Sequence, residues 1–328
     1  MPVVQLPSVA LPRFLVDGYR AELDSTAKDQ AELLADDDPA LLDDTPSALE
    51  VVVTGIDEAL FERLISGTGV RWVHSISAGV EHLPLARMAE RGIVLTNSAG
   101  AYATAMAEYA LAAMIMLARS LPSWLDGQRE QRWLEAGQFD ANVLRGKRLG
   151  IVGYGAVGRE LAATGKALGM EVWATKRSPL FPSAEPLDRL LPTSDLPELL
   201  VSSDVVVLCA SLNRSTRHLI GTTELESMKP TAVLVNVARG GLIDEQALVR
   251  ALHEGRLRGA MLDVTTEEPL PPESPLWSAP NLYITPHISG NTPESWRWQV
   301  EFFCRNLQLY LDGSPERMGN LVDYPAVL

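Results

Sequence analysis

A glycine-rich sequence in the middle of the chain has the spacing of a dinucleotide-phosphate loop. Gly153-Tyr154-Gly155-Ala156-Val157-Gly158 fits G-x-G-x-x-G, which alone is a weak signal, but a strand-like sequence at 148–152 precedes it and a helix-like sequence at 157–168 follows. The first glycine would permit a tight turn, the second a close backbone approach to a pyrophosphate, and the third close helix–strand packing. The helix N-terminus would offer unpaired N–H groups to the phosphates. We therefore predict that these six residues contact a cofactor; the alternative is a turn without a ligand.

Lys176-Arg177-Ser178 ends the next strand-like sequence, at the point where a free ribose 2′-hydroxyl would require an acidic residue about twenty residues after the loop. Two cations and a hydroxyl would instead suit a 2′-phosphate, which accepts charge-assisted hydrogen bonds. The sequence thus favours NADP(H) over NAD(H). The alternative is that both cations point into solvent.

Three polar sequences follow the last three strand-like runs. Asn236 to Gly241 contains Arg239, Asp263 to Pro269 contains Glu268, and Thr285 to Gly290 contains His287. Ligands of doubly wound sheets bind at the carboxyl ends of the strands, so these side chains would meet there. Taken singly, each also has a structural interpretation: Arg239 as a surface ion pair, Glu268 as a helix-start carboxylate and His287 as a buried imidazole.

The elements that would position these residues form two α/β series. The first hundred residues contain short strand-like runs at 51–54, 70–74 and 93–96 with helix-like sequences between them. The second series contains apolar, non-alternating runs typical of a parallel sheet covered on both faces. These runs are 148–152, 171–175, 205–209, 232–236, 260–264 and 282–285. Three helices are also predicted. The first is a buried helix at 101–121, and the second begins after Asp244 and ends at Gly255. The third is an amphipathic C-terminal helix after Thr292 that packs on the first domain.

Composition limits the possible classes of protein. The 328 residues are 46% hydrophobic and 21% charged, which is ordinary for a globular protein, and the length suggests two domains. The net charge of −14 argues against nucleic acid as a partner. Two cysteines without metal or disulfide spacing, Cys209 and Cys304, favour a reducing, cytoplasmic setting without a bound metal. No leader or membrane segment is visible in the sequence, so we expect no membrane association.

Taken together, the motifs resemble the D-isomer-specific 2-hydroxyacid dehydrogenase family, which includes glyoxylate/hydroxypyruvate reductases. The matching sequences are Gly153 to Gly158, Met228-Lys229-Pro230, Asn236 to Gly241, Leu262 to Pro269, Thr285 to Gly290, Ser77 to His82 and Ala107-Glu108. They occur in order from about residue 70 onward.

The resemblance implies that Arg239, Glu268 and His287 are catalytic. His287 would exchange a proton with the substrate oxygen, Glu268 would orient its imidazole, and Arg239 would hold the substrate carboxylate and polarise the carbonyl. The family motif places the catalytic carboxylate directly before Pro269, which selects Glu268 over Glu267. We expect the other histidines to be structural. They are His74, His82, His218 and His253.

The resemblance also implies further contacts. Backbone N–H groups of Ala78, Gly79 and Val80 in the substrate domain would bind the substrate carboxylate. Additional cofactor contacts are expected in the loops after the later strands. They are Ala238, Asp263, Ser289 and Gly290.

The implied architecture is a doubly wound parallel-sheet Rossmann domain, residues 99–286, inserted in a discontinuous flavodoxin-like α/β domain of residues 1–98 plus 287–328. A homodimer is expected.

The expected activity is hydride transfer between NADP(H) and a small 2-keto or D-2-hydroxy acid, as in a glyoxylate/hydroxypyruvate-type reductase. The alternatives are an NAD-dependent enzyme of the same family and a non-catalytic nucleotide-sensing scaffold; formate or phosphite oxidation fits less well because no signature of the small pocket it needs is found.

Overall fold

The computed structural model describes residues 6–43, 46–135, 137–138, 141–177 and 186–327. The chain divides into two compact units, which we call unit 1 (Met1–Tyr102 and Thr292–Leu328) and unit 2 (Ala103–Asn291). The boundaries predicted from the sequence lie four and five residues earlier, at 98 and 286. His287 consequently belongs to unit 2, where the loop that carries it is hydrogen-bonded to Asp263.

The described residues contain twelve strands and twelve α-helices, numbered here in chain order. The strands are β1 (Ser8–Leu11), β2 (Glu32–Ala35), β3 (Leu49–Val53), β4 (Trp72–Ser75), β5 (Val94–Asn97), β6 (Arg148–Val152), β7 (Glu171–Lys176), β8 (Arg189–Pro192), β9 (Val205–Leu208), β10 (Val233–Asn236), β11 (Gly259–Leu262) and β12 (Leu282–Ile284). The helices are α1 (Arg13–Ala27), α2 (Pro39–Asp43), α3 (Glu58–Ser66), α4 (Leu85–Glu90), α5 (Ala103–Ala118), α6 (Leu121–Arg129), α7 (Ala156–Ala167), α8 (Leu196–Ser202), α9 (Thr222–Ser227), α10 (Glu245–His253), α11 (Pro293–Leu311) and α12 (Tyr324–Val327).

Unit 1 contains a five-stranded parallel sheet in the order β2-β1-β3-β4-β5. This is the flavodoxin-like order, as predicted. Successive residues of β3 face opposite sides and both sides are buried: Val51 and Val53 lie in a core with Trp72, and Val52 lies in a second core with Val73. The C-terminal helix α11 packs on α1 in this unit, as expected from its apolar spacing. The four-residue strands β1 and β2 were not predicted.

Unit 2 contains a seven-stranded parallel sheet in the order β12-β11-β10-β9-β6-β7-β8. Leu149 and Ile151 of β6 are buried in the core that includes residues of α5 and α7, whereas Val152 lies in the core that includes residues of α8 and α10. From β6 the chain first proceeds to β7 and β8 on one side and then to β9 on the other. The order therefore reverses between β6 and β9, which confirms the predicted doubly wound fold. In sheets of this kind, ligands bind at the carboxyl ends of the strands where the order reverses.

Predicted helix signals match the structure closely. Asp244 precedes α10 and accepts a hydrogen bond from the Ala247 N–H, and Gly255 follows it with φ +66°. Thr292 caps α11 by accepting from the Ser295 N–H. Within the described residues, no single helix combines the length and apolar composition of a membrane span; only α5 and α6 taken together do so, and they meet at an angle of 70°.

Candidate active site

The three predicted catalytic residues follow neighbouring strands of unit 2. Arg239 lies after β10, Glu268 after β11 and His287 after β12, and these strands are adjacent in the sheet. The glycine-rich loop follows β6, separated from β10 only by β9. Because all these strands are parallel, the sheet directs the four loops to one edge.

His287 and Glu268 are in direct contact. The imidazole Nδ1 lies 2.8 Å from Glu268 Oε2, and Glu268 Oε1 accepts a hydrogen bond from the Thr265 N–H at 2.9 Å. A carboxylate only accepts, so Nδ1 carries the hydrogen in this pair. No residue in the described part of the chain forms a hydrogen bond with Nε2. The side chains are 48% and 38% exposed, so solvent reaches both the imidazole and the carboxylate.

The backbone of His287 has a left-handed conformation with φ +54°. Non-glycine residues adopt it at a cost of about 1–3 kcal/mol, and it persists only where the surroundings enforce it. Here the His287 N–H donates to Asp263 O at 2.8 Å and to Thr285 O at 3.0 Å. The conformation of the candidate proton donor is thus fixed from β11 and from its own loop.

Asp263 is buried, with 1% of its surface exposed, and its carboxylate accepts three hydrogen bonds. Oδ1 accepts from the Thr285 hydroxyl at 2.6 Å and the Ile288 N–H at 2.9 Å, and Oδ2 accepts from the Ser289 N–H at 2.8 Å. Its predicted contact with a cofactor stays a prediction. The structure reveals a different task, which is to hold the loop that carries His287.

The loop that carries Arg239 is shaped by a buried amide. Asn236 donates through Nδ2 to Arg239 O at 2.9 Å and accepts at Oδ1 from the Ala238 N–H at 3.0 Å. The half-buried Arg239 guanidinium donates to Ala238 O at 2.7 Å. A Cβ at Gly240 would lie 1.9 Å from the carbonyl carbon of Thr265, so only glycine lets this loop approach the loop of Glu268 so closely.

The glycine-rich loop has the geometry that a phosphate ligand needs. Gly153 has φ +102°, and a Cβ there would lie 2.6 Å from Ala210 N; a Cβ at Gly158 would lie 2.5 Å from Gly153 O. A Cβ at Gly155, in contrast, would meet nothing within 4 Å. Gly155 also precedes α7, whose N-terminus points its N–H groups toward this open space. The open cradle before a helix N-terminus fits the pyrophosphate of a dinucleotide.

Other residues of this loop have different environments. The Tyr154 side chain is buried in the core, so only its backbone could contact a ligand, whereas Ala156 is exposed and Val157 half-buried. Thr175, whose contact with this loop was not predicted, accepts from the Gly153 N–H through Oγ1 at 3.3 Å and from the Tyr154 N–H through its carbonyl at 3.0 Å. It ties the glycine-rich loop to the end of β7.

The predicted selector of the 2′-phosphate begins at the end of β7. Lys176 is the last residue of the strand and half-buried, and Arg177 follows it and is exposed. Ser178 lies outside the described residues. Both described cations therefore lie at the carboxyl end of the strand next to β6, on the same edge as the glycine-rich loop.

The predicted carboxylate-binding loop of unit 1 follows β4. Ala78 is exposed, Gly79 half-buried and Val80 buried at 6% exposure. Asn97 Nδ2 donates to Ala78 O at 2.8 Å, and the Tyr102 hydroxyl donates to Ile76 O at 2.7 Å. Among the described residues, none accepts a hydrogen bond from the N–H groups of residues 78–80, which suits the role predicted for them.

His74 is a structural histidine, as predicted. It is 1% exposed, and its ring nitrogens contact Thr96 Oγ1 at 2.8 Å and Ser98 Oγ at 3.3 Å. Burial lowers the pKa of His74 to about 3. The other three histidines outside the site are exposed. They are His82, His218 and His253.

Comparison with known proteins is consistent with this geometry. The family model described as "D-isomer specific 2-hydroxyacid dehydrogenase, NAD binding domain" matches residues 111–289. A glyoxylate reductase of Thermococcus gammatolerans is 33% identical over 82% of this chain and 81% of its own length. A D-3-phosphoglycerate dehydrogenase of Archaeoglobus fulgidus is 32% identical over 88% of this chain, which spans only 54% of that relative's length. A crystal structure of a D-isomer specific 2-hydroxyacid dehydrogenase family protein from Aeromonas salmonicida subsp. salmonicida A449 is 30% identical with a TM-score of 0.85, covering 98% of this chain and 100% of that one.

Proposed function

Because the chain belongs to the D-isomer specific 2-hydroxyacid dehydrogenase family, we propose that it reduces a small 2-keto acid to the D-2-hydroxy acid with NADPH, as a glyoxylate/hydroxypyruvate-type reductase. The observation that carries the proposal is the contact of His287 Nδ1 with Glu268, which leaves Nε2 without a partner among the described residues at the sheet edge that also holds Arg239. An exposed ion pair contributes only about 0–1 kcal/mol to stability, so its geometry matters chiefly for orienting the imidazole.

His287 donates the proton in this reaction. When the imidazole is protonated, Nε2–H transfers its proton to the keto oxygen and a new O–H bond forms, while the second N–H remains bonded to Glu268. The Glu268 carboxylate stabilises the imidazolium before transfer and keeps the ring oriented. In the oxidation direction, neutral Nε2 removes the hydroxyl proton.

Arg239 holds the acid. Its planar guanidinium can bind a carboxylate through two parallel hydrogen bonds and polarise the carbonyl on which negative charge develops. The N–H groups of Ala78, Gly79 and Val80 in unit 1 are proposed carboxylate-binding groups as well. Local donors are needed because the net charge of −14 repels an anion at long range.

The cofactor-binding residues of this proposal are the glycine-rich loop and the cations after β7. The N–H groups at the start of α7 bind the pyrophosphate beside Gly155, and Lys176 and Arg177 bind a 2′-phosphate. NADPH, when bound, supplies the hydride that reduces the carbonyl carbon. Ala238, Ser289 and Gly290 are proposed to line the same site. The preference for NADP(H) over NAD(H) is supported by the two cations and by the lack of an acidic residue in their place.

We further propose a cytoplasmic homodimer formed through unit 2. Large apolar side chains are exposed in and after α5 and α6, where Leu125 is 50% exposed and Trp133 is 97% exposed. Covering such side chains with a partner removes apolar surface from water, and a second copy of this chain is the partner that we propose. Light scattering after gel filtration tests the proposed dimer. The Trp133→Glu variant should be a monomer. The control is Trp277→Glu, which changes an exposed tryptophan elsewhere in unit 2 and should leave the dimer intact. A monomeric wild type contradicts the proposal.

The deciding experiment follows the loss of reduced-nicotinamide absorbance with glyoxylate, hydroxypyruvate, pyruvate and a longer 2-keto acid. We expect turnover that is faster with NADPH than with NADH and that is abolished in His287→Gln but retained in His253→Gln. Faster turnover with NADH would refute the cofactor preference alone. Cofactor binding without turnover of any acid would refute the enzyme and favour the nucleotide-sensing scaffold.

A further inference from the structure

Three side chains from distant parts of unit 2 form a hydrogen-bonded chain that ends at Asp263, to which the backbone of His287 is bonded. The Tyr109 hydroxyl on α5 is bonded to Thr285 Oγ1, which lies 2.6 Å from the Oδ1 of Asp263. Tyr109 and Thr285 are half-buried and Asp263 is buried. Neither hydroxyl belongs to the catalytic set described above.

The direction of the protons in this chain follows from counting donors. An ionised carboxylate only accepts, so the single hydroxyl hydrogen of Thr285 goes to Asp263. Thr285 must then accept from Tyr109, which makes Tyr109 the donor at the start of the chain. Burial is the main cause that raises the pKa of Tyr109, and the negative charge of Asp263 also raises it. The Tyr109 hydroxyl therefore keeps the hydrogen that it must donate.

The chain terminates on the groups that set the position of His287. The Asp263 carboxylate also accepts hydrogen bonds from the N–H groups of Ile288 and Ser289. The main-chain carbonyl of Asp263 accepts a hydrogen bond from the N–H of His287. The His287 and Ile288 side chains gain little from burial, because they are 48% and 42% exposed, whereas Ser289 is buried. The hydrogen bonds to Asp263, together with the bond from the His287 N–H to Thr285 O, therefore hold the left-handed conformation of His287 in place.

We propose that Tyr109 and Thr285 are positioning residues that orient His287 through Asp263. This inference rests on the proposed function, in which His287 transfers the proton. The hydroxyl of Thr285 fixes the carboxylate, the hydroxyl of Tyr109 fixes Thr285, and the carboxylate fixes the loop. The apolar contacts of both side chains would survive loss of the hydroxyls, so isosteric substitutions isolate the hydrogen bonds.

The first test compares Thr285→Val, Thr285→Ser and Tyr109→Phe in the full chain. Thr285→Val should lower kcat about tenfold, the effect of losing one charge-assisted hydrogen bond, while the Kd of NADPH stays unchanged. Thr285→Ser, which restores the hydroxyl, should return kcat to within about twofold of wild type. A serine variant as slow as the valine variant overturns the proposal. If Thr285→Val fails to fold, the isosteric Tyr109→Phe carries the same prediction with a smaller loss.

The second test is the double variant Tyr109→Phe with Thr285→Val. Because Tyr109 acts only through the Thr285 hydroxyl, the double variant should be no slower than Thr285→Val alone. Losses that multiply would mean two independent effects and would refute the chain. Tyr283→Phe is the matched control, since Tyr283 is a second partly buried tyrosine packed against the same core cluster, and its kcat should equal that of wild type.

A readout independent of turnover separates this inference from the proposed function. The Cε1–Hε1 NMR signal of His287, assigned by its disappearance in His287→Gln, should move or broaden in Thr285→Val and Tyr109→Phe and return in Thr285→Ser. Wild type without turnover on any acid would refute the proposed function, while this signal would still report on the positioning. An unchanged signal in Thr285→Val overturns the positioning role even in an active enzyme.

Discussion

The Nδ1 atom of His287 lies 2.8 Å from the Oε2 atom of Glu268, across loops that follow the neighbouring strands β12 and β11. The second oxygen of Glu268 accepts from the Thr265 N–H. The carboxylate is thus oriented by its own loop before it meets the imidazole. Nδ1 of His287 is therefore bonded to the protein, whereas Nε2 has no hydrogen-bond partner among the described residues.

Glu268→Gln should lower kcat about a hundredfold with little change in KM, because a neutral amide stabilises an imidazolium poorly and can present its N–H₂ group to Nδ1. Steady-state kinetics with the acid that wild type reduces fastest measures the effect. The adjacent Glu267→Gln is the control, since that exposed side chain has no bond to His287 among the described residues. Equal losses in both variants would contradict the assignment of Glu268.

Replacing Lys176 and Arg177 together by alanine should lower kcat/KM for NADPH about a hundredfold and leave kcat/KM for NADH nearly unchanged, because only NADPH carries the phosphate that the cations bind. Arg256→Ala removes an exposed cation at another position in unit 2 and should change neither value. A parallel loss with both cofactors would show that the cations act on a part that the two cofactors share.

The strands and loops of the carboxyl edge of the unit 2 sheet could be predicted from the sequence because strand, loop and helix follow one another locally. Apolar runs predicted β6 and β9 to within a residue, and glycine spacing predicted the start of α7. The strands β1, β2 and β8 were missed. Both β2 and β8 are edge strands that begin with a charged residue, Glu32 and Arg189, so neither shows the continuously apolar run of a central strand.

Long-range hydrogen bonds could not be predicted in this way. Tyr109 and Thr285 are separated by 176 positions, and neither has a local signal that points to the other. Asp263 was predicted to bind a cofactor because it follows a strand in a matching motif, whereas its bonds to Thr285, Ile288 and Ser289 require the fold. The same holds for Thr175, which contacts the glycine-rich loop only because β7 pairs with β6.

Two glycine substitutions should separate cofactor binding from stability. Gly155→Ala adds a Cβ in open space and should leave the melting temperature unchanged but raise the Kd of NADPH about tenfold, because the methyl would occupy the room that the phosphates need. Gly240→Ala pushes a Cβ to within 1.9 Å of Thr265 and should lower the melting temperature by about 5 °C or more. Thermal unfolding and cofactor titration of both variants measure this. Unaltered NADPH binding in Gly155→Ala would mean that the loop does not approach the cofactor.

His74 should remain neutral in the folded protein throughout the physiological range. Burial lowers its pKa from an ordinary value of 6.5 to about 3, and its ring nitrogens are bonded to Thr96 and Ser98. Above about pH 6.5 the folded and unfolded chains both hold a neutral imidazole, so His74 has no effect on the pH dependence of stability. As the pH falls from about 6.5 toward 3, the unfolded chain takes up a proton that the folded chain does not, and stability falls by up to about 1.4 kcal/mol per pH unit.

The NMR signal of His74, assigned with His74→Gln, should not move between about pH 8 and pH 5, and the melting temperature should fall less over this range in His74→Gln than in wild type. A signal that titrates near neutrality would show that the imidazole is accessible to protons and not part of a dry core.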